Sequence, residues 1–296
     1  MILIAGGTGI LGTKLVDRLL SRGLSVRVLA RNPSRSSHPV SARVEMVQGD
    51  VRDPTSLVRP MTGVDAVVSA VHGFSGLGGN SPESVDFRGN ANLIDAAAAA
   101  GAAVVLMSVV GASAESPMEL FRMKYSAEQH LRTTGIPWTI VRATAYLETW
   151  VDLLEQTASK SGRPLVFGRG DNAINFVSAI DVAMLVERAI TDPSLRGKTL
   201  EVGGPENLSL NQLAAAIQKQ GGRTMPPRHV PRAALQTMAV ALKPIKPSLA
   251  RMARAALVMD SADMTFDATA IHAAYPVSAT RLADLLASRT SLAARQ

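Results

Sequence analysis

Four apolar residues, Ile2-Leu3-Ile4-Ala5, run directly into Gly6-Gly7-Thr8-Gly9-Ile10-Leu11-Gly12. A buried strand that breaks on glycine and restarts as a helix, here at about 10–22, is compatible with few folds. Each glycine has a separate task. Gly6 permits the tight turn, Gly9 lets a ligand approach the backbone closely, and Gly12 lets helix and strand pack tightly. The helix N-terminus then offers free N–H groups and a partial positive charge to an anion. A glycine triplet alone is weak evidence. Placed after a strand, before a helix and within a βαβ unit, it predicts a dinucleotide pyrophosphate held over Gly6, Thr8, Gly9, Ile10, Leu11 and Gly12. The alternative is a glycine-rich turn that holds nothing.

The strands that follow are continuous apolar runs: 25–30, 44–48, 65–70, 103–108 and 138–142. Helical stretches near 54–60, 83–100 and 118–133 separate them. Alternation of this kind predicts an α/β fold, a Rossmann-like doubly wound parallel sheet covered on both faces. Beyond 142 the pattern is irregular. Helices are expected at 146–158, 180–191 and 209–220, with short strands at 164–167, 174–178 and 199–203. Ser209 is a plausible N-cap. Two apolar, arginine-bearing helices, about 232–242 and 248–258, flank KPIKP, and a last helix starts near Ser278. We expect a dinucleotide-binding domain over 1–150. A smaller, mostly helical substrate or lid part over 151–296 would pack on its sheet.

The 296 residues carry a net charge of +7, unevenly spread. No acid lies between Glu206 and Asp260, whereas Lys219, Arg223, Arg228, Arg232, Lys243, Lys246, Arg251 and Arg254 all do. The remainder is nearly balanced, so the basicity belongs to one segment. That segment has no Phe, Tyr or Trp to stack bases, which argues against nucleic acid. Zero cysteines exclude disulfides and thiolate chemistry. His38, His72, His130, His229 and His272 form no metal-ligand pair, so no metal is expected. The opening MILIAGGTG has no basic n-region or cleavage site, so we expect no secretory signal and a cytoplasmic location.

The end of the second strand discriminates between cofactors. An acid there would bind a ribose 2′-hydroxyl, but this chain has Arg31-Asn32-Pro33-Ser34-Arg35. Arg31 and Arg35 favour a 2′-phosphate and hence NADP(H). A solvated basic loop is the plainer alternative. Asp50 and Val51 follow the third strand, beside the expected adenine, while Asp53 before Pro54 reads as an N-cap. Ser69, Ala70, Val71 and His72 end the fourth strand, at the edge where ligands bind in such sheets.

These stretches resemble the short-chain dehydrogenase/reductase superfamily in its atypical, NmrA-like branch. The resemblance is carried by GGTGILG, the Arg31 turn, GDVRD and GNANLIDAAAAAG at 89–101. VVLMSVVGA at 104–112, KYSAE at 124–128 and TGIPWTIVRATAYLE at 134–148 add to it. NFVSAIDVA at 175–183 and LEVGGPENLSLNQLA at 200–214 extend it to about residue 220. The main branch pairs Tyr and Lys four positions apart. Here Leu120 stands where that tyrosine would be, and Tyr125 is about 100° round the helix from Lys124. The resemblance therefore implies chemistry without the tyrosine, with Lys124 on the nicotinamide ribose and assisting proton transfer. From spacing alone, Lys124 and Glu128 are equally an i,i+4 surface pair. Ser108 would face the nicotinamide or merely cap its strand, and Ala143 to Tyr146 would border nicotinamide and substrate.

The function implied is an NADPH-dependent oxidoreductase acting on a small carbonyl, enone or quinone. The alternatives are a non-catalytic NADP(H)-binding sensor, or an accessory protein of a membrane complex. As partners we expect a small-molecule substrate and a monomer or homodimer. A membrane surface ranks below a lid or a plain helical subdomain as the reading of the basic segment.

Overall fold

The computed structural model describes residues 1–35, 42–74, 79–275 and 277–293; His38 lies outside them. Residue contacts divide the chain into two interleaved units, 1–143 with 182–201, and 144–181 with 202–296.

The first unit is built on a seven-stranded sheet. In chain order its strands are β1 (Ile2–Ala5), β2 (Val26–Ala30), β3 (Val44–Gln48), β4 (Ala66–Ser69), β5 (Ala103–Val109) and β6 (Trp138–Ala143). The order across the sheet is β3-β2-β1-β4-β5-β6, closed beside β6 by a late strand, β10 (Lys198–Val202). From β3 to β6 every pair of neighbours is parallel, Ile2 opposite both Val26 and Ala66 and Val104 opposite Trp138. This is the Rossmann-like doubly wound arrangement. The order reverses between β1 and β4, and it is outside the carboxyl ends of strands at such a point that sheets of this kind bind ligands.

Helices α1 (Ile10–Ser21), α2 (Arg88–Ala99) and α3 (Glu119–Arg132) are the crossovers. Leu3, Leu93, Ile94, Leu106, Leu131 and Ile140, each essentially without exposure, form one core between sheet and helices. Burying side chains of this size stabilises by about 1.5–3 kcal/mol each. The alanine run of α2 stops where Gly101 turns left-handed, φ +68°. Two expectations need correction. Residues 54–60 are two 3₁₀ turns, Pro54–Leu57 and Arg59–Met61, because Pro60 has no N–H to continue a helix. The helix expected from 83 begins as a π-helical turn, Pro82–Phe87. Asp53 does cap its turn, accepting from Thr55 N.

The second unit is smaller in strand content. Beyond β6 come β7 (Ala145–Tyr146), α4 (Leu147–Ser161), β8 (Leu165–Phe167) and β9 (Ile174–Val177); α5 (Ala179–Thr191) then leads back into the first unit, to which most of it belongs. After β10 come β11 (Glu206–Leu208), α6 (Leu210–Gln220), β12 (Arg228–Val230), α7 (Arg232–Ala241) and α8 (Pro247–Met259). The chain ends with α9 (Thr269–Ala274) and α10 (Leu282–Ala293). The strands pair as β11-β9-β7 and β12-β8. Ser209 and Gln212 form a reciprocal capping box on α6. The core gathers Phe176, Leu147, Val151, Leu154, Leu213 and Leu285. Helices α7 and α8 enclose a satellite cluster of Leu235, Ala239 and Ala253.

Among the described residues no helix is long and apolar enough to cross a membrane.

Candidate functional site

In a parallel sheet every strand presents its carboxyl end at the same edge, and the candidate residues of the first unit collect there. Gly6 leaves β1 with φ +88°, and a Cβ on it would stand 2.6 Å from the carbonyl oxygen of Ala70. Gly9 N donates to Gly6 O at 3.0 Å, which closes the turn. Gly9 is the N-cap of α1, no side chain caps that end, and no acid lies in its first turn. The first N–H groups of the helix thus point outward uncapped, the condition for anion binding. Gly12 sits where a Cβ would meet Gly6 O at 2.2 Å and Gly7 Cα at 2.5 Å. At Gly9 a Cβ would meet only Gly6 O, at 3.3 Å. So Gly12 is required by packing, whereas Gly9 leaves open space above the turn. Thr8, Gly9 and Ile10 are exposed, and Leu11 is buried, so only its backbone faces the turn.

At the end of β2, Arg31 is exposed and donates through its guanidinium to Asn80 Oδ1 at 3.2 Å. Arg35 ends a 3₁₀ turn, Pro33–Arg35; its side chain lies outside the described residues. Asp50, after β3, accepts from the Arg52 guanidinium at 2.5–3.1 Å. That hydrogen bond, against a burial cost, holds its carboxyl below the usual carboxylate range. Val51 is buried, and its carbonyl accepts from Asn92. Ser69 is buried and donates to Asn90 Oδ1 at 2.5 Å. Ala70 and Val71 are half-buried just beyond it.

Lys124 is almost fully buried, with its side chain only 5% exposed. Its Nζ donates to Val71 O at 2.9 Å and stands 3.1 Å from Asp86 Oδ1. The second oxygen of Asp86 accepts from Gly73 N at 2.8 Å. Asp86 is wholly buried on the π-helical turn, so the two charges compensate each other out of water. The surface pair of Lys124 with Glu128 is therefore overturned. Glu128 instead accepts from Ser108 Oγ at 2.5 Å and from Arg142 Nε and a terminal guanidinium nitrogen at 2.9 and 2.7 Å. The hydrogen bond from Arg142 to Glu128 raises its basicity above the ordinary arginine value, against burial. Nearby His72 is exposed at its surface. Desolvation by the surrounding protein still lowers it below the usual imidazole value; Asp86 opposes that shift and Lys124 adds to it. Ala143, buried, ends β6 and accepts from Val110 N.

Tyr146 belongs to the second unit, on β7 opposite Val177. Burial, then the Glu148 charge, raises its phenol far above the ordinary value, so it stays a neutral hydroxyl. Glu148 is itself committed, accepting from Ser178 Oγ and Ala179 N at the start of α5.

Asp86 and Arg142 are the site's partners that sequence reasoning missed. Asp86 sits among helix-forming residues far upstream of Lys124, and no spacing rule joins them. Arg142 had a signal, a charge closing an otherwise apolar strand (WTIVR), which predicts a buried acid opposite.

The NmrA-like family profile matches residues 1–284. An NAD(P)H azoreductase of Xenophilus azovorans is 29% identical over 231 residues, 78% of this chain and 76% of that protein. A (4-alkanoyl-5-oxo-2,5-dihydrofuran-3-yl)methyl phosphate reductase of Streptomyces griseus is 31% identical over 227 residues, 76% and 75% of the two chains. Among solved structures, an NADPH-dependent quinone oxidoreductase of Escherichia coli complexed with NADPH superposes with a TM-score of 0.74. It is 24% identical and covers 98% of this chain and 100% of that one.

Proposed function

The chain belongs to the NmrA-like family, and from that premise we propose that it is an NADPH-dependent reductase delivering hydride to a small carbonyl, enone or quinone. One observation carries the reading: a lysine, Lys124, is held inside the protein at the same sheet edge as the uncapped glycine turn. A buried ammonium needs a reason, because removing it from water costs several kcal/mol before pairing. A proton donor beside a nicotinamide is such a reason.

The residues fit the cofactor. The open space over Gly9 and the uncapped first turn of α1 suit a pyrophosphate. Arg31 suits a 2′-phosphate, with Arg35 close to it in sequence. Asp50 and Val51 would border the adenine, and Ser69, Ala70 and Val71 would line the path towards the nicotinamide. When bound, NADPH supplies the hydride. Lys124 Nζ, held by Asp86 and Val71 O, would bind the ribose and give a proton to the oxygen that is reduced. Ser108 donates its own proton to Glu128, so in this reading it acts as an acceptor. Ala143, at the end of β6, would border the substrate.

A second reading, a non-catalytic NADP(H) sensor, is favoured by Leu120 at the place of the tyrosine. One experiment separates them. NADPH oxidation is followed across a panel of quinones, enones and azo compounds, with cofactor affinity measured in parallel. Turnover that Lys124→Ala abolishes supports the reductase. Tight NADPH binding without turnover of any acceptor supports the sensor.

A further inference from the structure

The α7–α8 hairpin has a base and a tip of opposite character. At the base, where α7 begins and α8 ends, the Arg232 guanidinium meets Asp260 Oδ2 at 2.5 Å. The Oδ1 of Asp260 accepts from Arg169 N and Gly170 N at 2.8 and 3.1 Å, which fastens the hairpin to the β8–β9 connection. At the tip, residues 242–246 form a tight turn in which Ile245 N and Lys246 N both donate to Leu242 O. Pro244 and Pro247 set that turn. They do not interrupt a long amphipathic helix; they fold two short ones into a projection.

The side chains at the tip are those a soluble surface normally hides. Val240 is 73% exposed and Ile245 74%, and Leu249 and Met252, one turn apart on α8, are also exposed. Lys243 and Lys246 stand exposed between them. Asp260, the first acid on the hairpin, is separated from the tip by the length of α8, about 20 Å at 1.5 Å per residue. That exceeds the screening length of about 8 Å at physiological salt, so the base does not neutralise the tip.

We propose that the tip of this hairpin docks on an anionic lipid surface. Val240 and Ile245 enter the boundary between headgroups and acyl chains, and Lys243 and Lys246 meet the phosphates. The shape and charge of the tip select this occupant. A protein partner needs about 800 Å² per side, and a convex turn of seven residues does not offer it. A second copy docking about a two-fold axis would bring lysines against lysines. A bilayer accepts a convex apolar wedge and rewards each nearby lysine by about 1 kcal/mol. The interaction is weak and reversible.

The test uses the full chain in flotation with vesicles of phosphatidylcholine alone or mixed with phosphatidylglycerol, and does not depend on reductase activity. The expected result is salt-sensitive binding to the phosphatidylglycerol vesicles only. Lys243→Gln with Lys246→Gln should weaken it roughly 30-fold. Val240→Ser with Ile245→Ser should release it too, and since both side chains are largely exposed, neither pair should shift the melting temperature. Absence of binding to phosphatidylglycerol vesicles overturns the proposal. So does binding that survives both double variants, and so does sedimentation showing a dimer that Ile245→Ser dissolves while vesicles bind nothing.

Discussion

Gly9 and Gly12 lie three residues apart in the same turn, yet adding one methyl to each should fail in opposite ways. In Gly12→Ala the new Cβ lies 2.2 Å from Gly6 O and 2.5 Å from Gly7 Cα, both backbone atoms that cannot rotate aside. Overpacking of this kind costs about 1–3 kcal/mol, and rigid neighbours favour the upper end. At about 2–4 °C per kcal/mol for a chain near this size, Tm should fall by roughly 5–10 °C. In Gly9→Ala the Cβ meets only Gly6 O, at 3.3 Å, and the backbone, φ −87° and ψ 177°, is open to any residue. The fold should lose well under about 1 kcal/mol through the poorer N-cap. The same methyl occupies the space over the turn that a pyrophosphate would use. Losing one charge-assisted contact costs about 1.5–3 kcal/mol, so NADPH affinity should drop about 10- to 100-fold. Differential scanning fluorimetry and NADPH fluorescence titration on both variants decide the matter. A Gly9→Ala protein that keeps wild-type affinity would show that no phosphate passes over this turn.

Three further outcomes are expected. Wild type should prefer NADPH to NADH, and Arg31→Asp should erase or reverse that preference by roughly 10- to 100-fold in Kd ratio; equal titration curves for the wild type would refute it. Lys124→Ala should damage turnover or cofactor affinity, whereas Tyr125→Phe should leave both nearly intact; the reverse pattern in steady-state kinetics would show that the wrong residue of α3 has been assigned. Asp260 concerns pH. Burial pushes its carboxyl up, but Arg232 and the N–H groups of Gly170 and Arg169 outweigh it and hold it below the usual range. The stability it confers is therefore present above its unfolded value near 4 and lost as pH falls through the lower folded value. Asp260→Asn should flatten that acid limb in urea melts taken between about pH 5 and pH 2; an unchanged slope refutes the assignment.

An element is legible in the sequence where its signal is local. Strands β1, β2, β4, β5 and β6 were legible because strands buried on both faces read as near-continuous apolar runs, whereas β3 (VEMVQ), with only Val44 buried, showed through its place in the alternation. The Ser209 cap was legible because a capping box lies within four residues. Residues 54–60 misled because a helix-like length concealed Pro60, which has no N–H to continue a helix begun at Pro54. β7, β11, β12 and α9 span two, three, three and six residues, too few to show a period, and escaped; the equally short β8 was expected at 164–167. Around Lys124 the nearest acid by spacing, Glu128, was the wrong partner. A helix register names neighbours on one helix, but Asp86 reaches the lysine from another element. Arg142 then takes Glu128 from β6, the strand that follows α3.

The late return of β10 bears on how the chain is made. β6 is complete at residue 143, but the strand that covers its outer edge starts only at Lys198. Two other ties of the first unit wait equally long: Thr139 Oγ1 donates to Leu195 O, and Arg18 and Arg22 share Glu187. At about 5–20 residues per second, roughly 55 residues take some 3–11 s to synthesise. Throughout that interval the nascent sheet presents an apolar strand with an unpaired edge, the template on which chains aggregate. A fragment cut near residue 150 would keep that edge permanently. Expression of such a fragment should yield insoluble protein, while one ending beyond residue 202 should have its sheet closed.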